Sequence, residues 1–320
     1  MTLAHPRRKT PLRIPLPLRT RFTHPIAVDT WDAYFRRRVG NDLCEHTIDE
    51  TWARVAHVVA GTENEGNDSW SRRYVSAFRK WRLLPDERLL SGADTSFAGI
   101  PAEPAAVLNA SAFVLDPNTV HARFDEDGFA TTAVLAVRFL DDVSLASLER
   151  VDRPPRLRIG MLGVADAISS MGMAYGSADA IRQAAAMAAA LATGCLQGSV
   201  ALAAERGPRA DSPLKELTAL WRRRGMPPEL IDAARRQGVR YLQLTAIEPH
   251  PVLAQLANDA SDGIDPKDPS PNIVMDDRTA ASSAAKAQEG LNAMRQAVQP
   301  WIDVEIGSGD GTKESHGLGD

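Results

Sequence analysis

Few side chains in this sequence can do redox or metal chemistry. It holds two cysteines, Cys44 and Cys195, about 150 residues apart, with no CxxC pair and no histidine at ligand spacing beside either. That arrangement supports neither a disulfide framework nor a zinc site. Cys195 falls on the apolar stripe of a long helical segment and reads as a small buried hydrophobe, whereas Cys44 lies in a polar connector and reads as exposed. Acid/base chemistry has one local candidate, the loop Glu248-Pro249-His250-Pro251, with His121 or Asp125 as further groups. A single histidine beside prolines is more often an ordinary loop residue than a base, and spacing alone does not join these four side chains.

The segment that must organise them runs from Arg156 to Gly207. Ile181, Ala184, Ala188, Leu191 and Cys195 recur at alternating three- and four-residue steps, with Leu202 one heptad on. This predicts a helix of roughly 28 residues with a narrow apolar stripe. Ser177 with Asp179 marks its start, and Arg206 with Gly207 its end. Upstream, Val28 to Val39 predicts a short amphipathic helix carrying Trp31, Tyr34 and Phe35. Thr47 to Glu50 is a capping box opening a helix through Trp52, Val55, Ala56 and Val59 to Gly61. Trp70 to Trp81 predicts a third helix whose Tyr74, Phe78 and Trp81 form a core-facing stripe. Thr95 to Pro104 is a Gly/Pro loop, and Val107 to Leu115 reads as a buried strand. Downstream, Ser212-Pro213 and Pro227-Pro228 each open a helix, ended by Gly225 and Gly238, and Tyr241 to Ile247 reads as a strand. Asp265 to Asn272 is a linker. Ala280 to Gln299 predicts a polar helix stopped by Pro300, and the last dozen residues are expected to be disordered.

Composition narrows the function classes. At 320 residues and 44% hydrophobic, the chain holds one large domain or two small ones. A net charge of -4 offers no global positive field, which argues against nucleic acid as a partner. No apolar run approaches the ~20 residues of a membrane span, so no membrane partner is expected and a cytoplasmic location is. Met1 to Phe22 carries Arg7, Arg8, Lys9, Arg13, Arg19 and Arg21, four prolines and no acid. It reads as a solvated basic arm docking on an acidic body, or as a contact for an anionic partner such as a nucleotide.

The phrase RIGMLGVADAISSMGMAYGSADA, followed by the Ala-rich helix ending ALAAERGP, resembles the late part of the catalytic barrel of ribonucleotide reductase large chains, closest to the adenosylcobalamin-dependent class II. AVRFLDDV (Ala136 to Val143), LQLTAIEP (Leu242 to Pro249) and SDGIDP (Ser261 to Pro266) are similar to the family's flanking helix, strand and turn, in the same order. DETWARVAHVVAGTE and WRLLPDERLLSGADT are similar to its small helical domain and the approach to the barrel. The resemblance spans about residues 26 to 266. It implies an N-terminal helical subdomain (23–92), a barrel remnant (93–266), and a linker, helix and tail (267–320) after the basic arm (1–22).

The same resemblance exposes departures. Ser111 matches a serine of the family's first barrel strand, but the redox cysteine after it is Ala112 here, and alanine can form no disulfide. Only about twenty residues separate that strand from AVRFLDDV, where the family places over half of its barrel, including a finger loop with an Asn-x-Cys-x-Glu pattern. Of the family's phosphate loop, Ala-Pro-Thr-x-Thr, only Pro249 is kept. Glu248 adds a negative charge, Pro251 removes an N–H, and His250 is left as one candidate donor.

The fold expected is a helix-rich α/β protein, with strands near 107–115 and 241–247 as the remnant of a barrel and a long central helix across them. Ser111, Pro249 and His250 are the candidate substrate-binding residues, with no catalytic residue and no metal ligand. The leading reading is a reductase-like protein that has lost catalysis and serves as a binding, regulatory or assembly module, with no cofactor, as a homo-oligomer or with a protein partner, and with a nucleotide as candidate ligand. A second reading is an adenosylcobalamin-dependent reductase completed by a second chain. A third is new acid/base chemistry at His250 and Glu248.

Overall fold

Local signals set most helix ends. The computed structural model describes residues 19–40, 42–63, 65–93, 104–146, 156–208, 214–267 and 277–306. The expectations for the basic arm up to residue 18, the loop at 94–103, the Ser212-Pro213 helix start, the linker beyond residue 267 and the last dozen residues lie outside these. Helix α1 (Pro25–Thr30) runs into a π-helical stretch, Trp31–Phe35, that buries Trp31 and Phe35 and leaves Tyr34 exposed. The expected helix to Val39 stops there: β1 (Arg38–Val39) turns at Gly40, φ +60°, and pairs with β2 (Asp42–Leu43). The Thr47–Glu50 capping box opens α2 (Ile48–Ala60). Helix α3 (Asn67–Arg79) buries Tyr74 and Phe78, but Trp81 lies beyond its end at φ +56° and turns the chain into β3 (Leu83–Pro85), a strand not anticipated from the sequence.

After α4 (Glu87–Gly92), the strand expected over Val107 to Leu115 is broken. It is β4 (Ala105–Asn109), a 3₁₀ turn at Ala110–Phe113, and β5 (Val114–Leu115), which pairs with β6 (Arg123–Phe124). Asn109 causes the break, because its side-chain oxygen accepts the Ser111 N–H and bends the backbone out of the ladder. AVRFLDDV lies in α5 (Glu126–Ala146). The apolar run after Arg156 is first a strand, β7 (Arg156–Leu162), then α6 (Val164–Ser170) and the 29-residue α7 (Ala178–Arg206), capped by Ser177. Helices α8 (Leu214–Arg223) and α9 (Pro228–Gln237) lead to β8 (Gln243–Thr245), α10 (Pro251–Leu256) and α11 (Asp277–Val298).

The sheet order is β3-β4-β7-β8, with β3 antiparallel to β4 and β4, β7 and β8 mutually parallel. The two strands expected from the sequence do not pair with each other: β7 lies between them. The architecture is thus a helix-rich α/β fold with an open sheet rather than a closed barrel. Helices α5 and α7 pack along one another, and glycines set their spacing. A Cβ at Gly194 would stand 2.3 Å from the Ala130 carbonyl, and one at Gly198 2.9 Å from Val137 Cβ. By length and composition α7 is apolar enough to cross a membrane, contrary to the reading of the sequence, yet most of its apolar stretch is buried inside this fold, Cys195 included.

The outer edge of β8 is closed by the chain itself. Asp303 Oδ2 accepts the N–H groups of Leu244 and Thr245 at 2.9 and 3.2 Å, and Val304 donates to the Thr245 carbonyl at 3.3 Å. Arg224 holds this cap, bonding Asp303 Oδ1 at 2.9 Å and the Pro300 carbonyl at 2.6 Å. An edge that could template another strand is thereby blocked by a carboxylate.

A buried ionic network ties the helices to the sheet. Asp141 and Asp142 of α5 are fully buried. Asp141 accepts from Arg240 at 2.8 Å and from the Tyr241 hydroxyl at 2.7 Å; Asp142 accepts from Arg206 at 2.8 Å and from the Tyr74 hydroxyl at 2.5 Å. Glu63 pairs with Arg138 and Arg206, and Arg138 also bonds Glu205. Four carboxyls thus face three guanidiniums, so one carboxyl is favoured in its neutral form. Burial pushes Asp142 up to about 7, while its bond to Glu63 and the arginines hold Glu63 below the usual carboxylate range.

Two outcomes are expected. Asp303→Ala should cost about 1–3 kcal/mol in urea unfolding, since two N–H groups of β8 lose their acceptor. Asp142→Asn, a stand-in for the neutral acid, should match the native chain near pH 4 and become increasingly more stable toward pH 7, by about 4 kcal/mol, then level off. The native protein binds the extra proton in that window and the unfolded chain does not, so its own stability falls there. Paired urea titrations across pH measure the difference.

Candidate functional site

In α/β folds ligands collect at the carboxyl ends of parallel strands, so the ends of β4, β7 and β8 are where a site belongs. Side chains alternate along β7, placing Leu157, Ile159 and Met161 on one face and Arg158 and Gly160 on the other. On that second face the chain leaving β8 folds over the sheet. A Cβ at Gly160 would meet the Ala246 carbonyl at 2.6 Å, so only glycine admits this crossing. Arg158 then forms an ion pair with Glu248. The negative charge read from Glu248 is therefore offset from within the fold.

Each candidate residue has a definite setting. Ser111 stands in the 3₁₀ turn after β4, and both its hydroxyl (2.7 Å) and its N–H (3.2 Å) donate to Asn109 Oδ1. Ala112 packs a methyl group against the core. The backbone N–H of His250 donates to both carboxylate oxygens of Asp262, at 2.9 and 3.0 Å. Burial depresses its imidazole below the ordinary value of 6.5, against the opposing pull of Asp86 and Asp262, so the ring is neutral at pH 7. Pro249 is exposed and lines a groove of about 460 Å³ with Glu248, Asp262, Asp265 and Arg295, the last from α11 and paired with Asp265. Ser111 and His250 are not part of that lining.

The strand ends are joined through Gly163, at φ +71°. A side chain there would lie 2.4 Å from Asn109 Oδ1, and its N–H donates to the Ser261 carbonyl at 2.7 Å, while Ser261 N–H donates to Asp166. The loops that could hold a substrate are thus bonded to one another. Acids outnumber bases around the groove, with Glu248, Asp259, Asp262 and Asp265 against Lys267 and Arg295. Asp125 caps α5 through Gly128 N–H and lies 3.5 Å from Arg82; no hydrogen bond or ion pair among the described residues joins it or His121 to His250 or Glu248. Among the described residues no cluster of ligands could hold a metal ion. Cys44 is exposed on the N-terminal subdomain, and Cys195 is buried in α7 with its thiol raised by that burial.

Arg158, Asn109, Gly163 and Asp262 were not singled out from the sequence. The alternation of Arg156 and Arg158 with apolar residues in RLRIGML was the one signal that could have shown a strand with a polar face there.

The family model "Ribonucleotide reductase, barrel domain" matches residues 105–271, slightly more than half of the chain. The match begins at the first residue of β4 and takes in all three parallel strands with α5 to α10. This chain belongs to the ribonucleotide reductase barrel-domain family. Residues 26–104, which also resembled the family, lie outside the match. No curated protein matches the chain.

The neutral, buried ring of His250 sets a pH expectation. A folded-state pKa below that of the unfolded chain means stability is complete above about 6.5 and is lost as pH falls through the folded value. His250→Gln should flatten that acid-side loss between about pH 7 and about pH 5 while leaving the neutral-pH unfolding midpoint nearly unchanged. Urea midpoints at the two pH values check this.

Proposed function

We propose that this member of the family has lost ribonucleotide reduction and acts as a binding or assembly module built on the reductase scaffold. The observation that carries the reading is that the groups a reductase site requires are either missing or already engaged within the chain. Ala112 stands where the resemblance calls for a redox thiol, and of the two cysteines Cys44 is exposed and Cys195 is fully buried within α7. Ser111 is taken up by Asn109, Glu248 by Arg158 and the His250 N–H by Asp262, while Pro251 has no N–H to offer. A phosphate at the groove would meet an excess of carboxylates among the described residues.

Adenosylcobalamin, as the radical source of the class II relatives, fits poorly. Its chemistry is passed to substrate through a cysteine thiyl, and the two cysteines here are unsuited to receive it, Cys44 being exposed before the barrel region and Cys195 sealed inside α7. The shortened stretch between β4 and α5 favours a chain that does not rebuild the family's finger loop. We propose that the protein works with another polypeptide or a second copy of itself. Because β8 is closed by Asp303, that contact has to use some other surface.

Calorimetric titration of the purified chain with ribonucleoside di- and triphosphates and with adenosylcobalamin tests the reading. The expected result is no binding tighter than about 1 mM, which is about 4 kcal/mol of affinity, and no deoxyribonucleotide formed in the presence of a dithiol. Micromolar binding of a nucleotide, or turnover, would restore the enzyme reading. Light scattering on the same sample should show a dimer or a co-purifying chain rather than a clean monomer.

A further inference from the structure

A second groove lies away from the strand ends, on the outer side of α5 and α7. It measures about 690 Å³ and runs between these two helices and α3. Its floor is aliphatic, made by Val134, Leu135, Ala201 and Leu202. Its rim is basic: Arg72, Arg73 and Lys80 stand exposed along α3, and Arg82 follows at the end. No acidic side chain lines it among the described residues. Arg138 is engaged by Glu63 and Glu205, and Arg82 approaches Asp125 at 3.5 Å, but Arg72, Arg73 and Lys80 have no carboxylate partner among the described residues. In a chain of net charge -4, three adjacent unpaired cations beside an apolar trough form a local reversal of sign.

The form of the groove selects among occupants. The Trp70 ring carries the Arg73 guanidinium at 4.4 Å and that of Arg138 at 3.8 Å, so it is already engaged by two cations. The remaining floor is ridged by Val134, Leu135, Ala201 and Leu202, which suits branched aliphatic side chains better than a planar base. Arg72 and Lys80 are eight residues apart on one side of α3, about 12 Å along its axis. Acids two turns apart on a second helix match that span, with aliphatic residues at i, i+3, i+4 and i+7 filling the trough between them.

We propose that the groove between α3, α5 and α7 is the docking site for an acidic amphipathic helix of a partner protein. Apolar burial would supply most of the affinity, and the cationic rim the orientation and association rate. The proposal deepens the assembly-module reading but does not depend on the strand-end site: nucleotide titration tests that reading, and the groove is tested separately.

The experiment is fluorescence titration of the full chain with three probes. One is a 16-residue helical peptide with a leucine stripe flanked by glutamates, the second is the same peptide with lysines for glutamates, and the third is inorganic pyrophosphate. The glutamate peptide should bind in the micromolar range and weaken as salt is raised. Its affinity should fall by at least about tenfold in the charge-reversed variant Arg72→Glu/Arg73→Glu/Lys80→Glu, all exposed positions. Ala201→Glu, a single exposed change on the floor, should cause a similar loss if the triple variant fails to fold. Equal binding of the lysine peptide, or unaltered binding by both variants, overturns the proposal. Binding of pyrophosphate without binding of the glutamate peptide overturns it in favour of a small-anion site.

Discussion

The buried pairing of Asp141 and Asp142 with Arg206 and Arg240 is the interaction on which the rest of this fold depends. It joins the last turns of α5 to the end of α7 and to the segment that feeds β8, so it sets where the third parallel strand enters the sheet. Tyr74 and Glu63 extend the same network to the N-terminal helices. Replacing Asp141, the carboxylate held in its charged form, would strand Arg240 in the interior, which costs far more than the pair itself contributes. The network therefore acts chiefly as a register device: α5 and α7 can slide along their glycine and alanine contacts, but the carboxylates meet the guanidiniums in one alignment only.

That alignment leaves a sheet of four strands with two problems that a closed barrel does not have. One is the free edge of β8, and the chain meets it with Asp303 and Val304 held by Arg224. The other is the face opposite α5 and α7, which in a barrel would point inward and be filled by side chains of other strands. Here residues 246–248 fold across it, with Gly160 making room and the Arg158–Glu248 pair holding the crossing. Both solutions consume polar groups at the strand ends.

Family membership rests on the stretch from β4 to the turn after α10, and the helical N-terminal part and α11 lie outside the matched region. These parts do the covering: α11 brings Arg295 and, just beyond it, Asp303 to the sheet, while α3 supplies one wall and the basic rim of the outer groove.

What the sequence by itself determined was local. The capping box of α2, the Ser177 cap of α7, the terminal glycines of α2, α7 and α9, the apolar stripe of α7 with Cys195 inside it, and the family resemblance of AVRFLDDV and its neighbours are carried by residues a few positions apart. The missing thiol at Ala112 was equally legible, because an absent atom needs no geometry. Tertiary structure decided the rest. Arg156 to Leu162, for which no strand was expected from the sequence, is one because it is buried between β4 and β8. Ser111 and His250 lost their donors to Asn109 and Asp262. Asp142 is pushed up to about 7 by its burial in an interior where carboxyls and arginines from distant segments meet. Such effects depend on which charges and edges end up side by side, and no spacing along the chain records that.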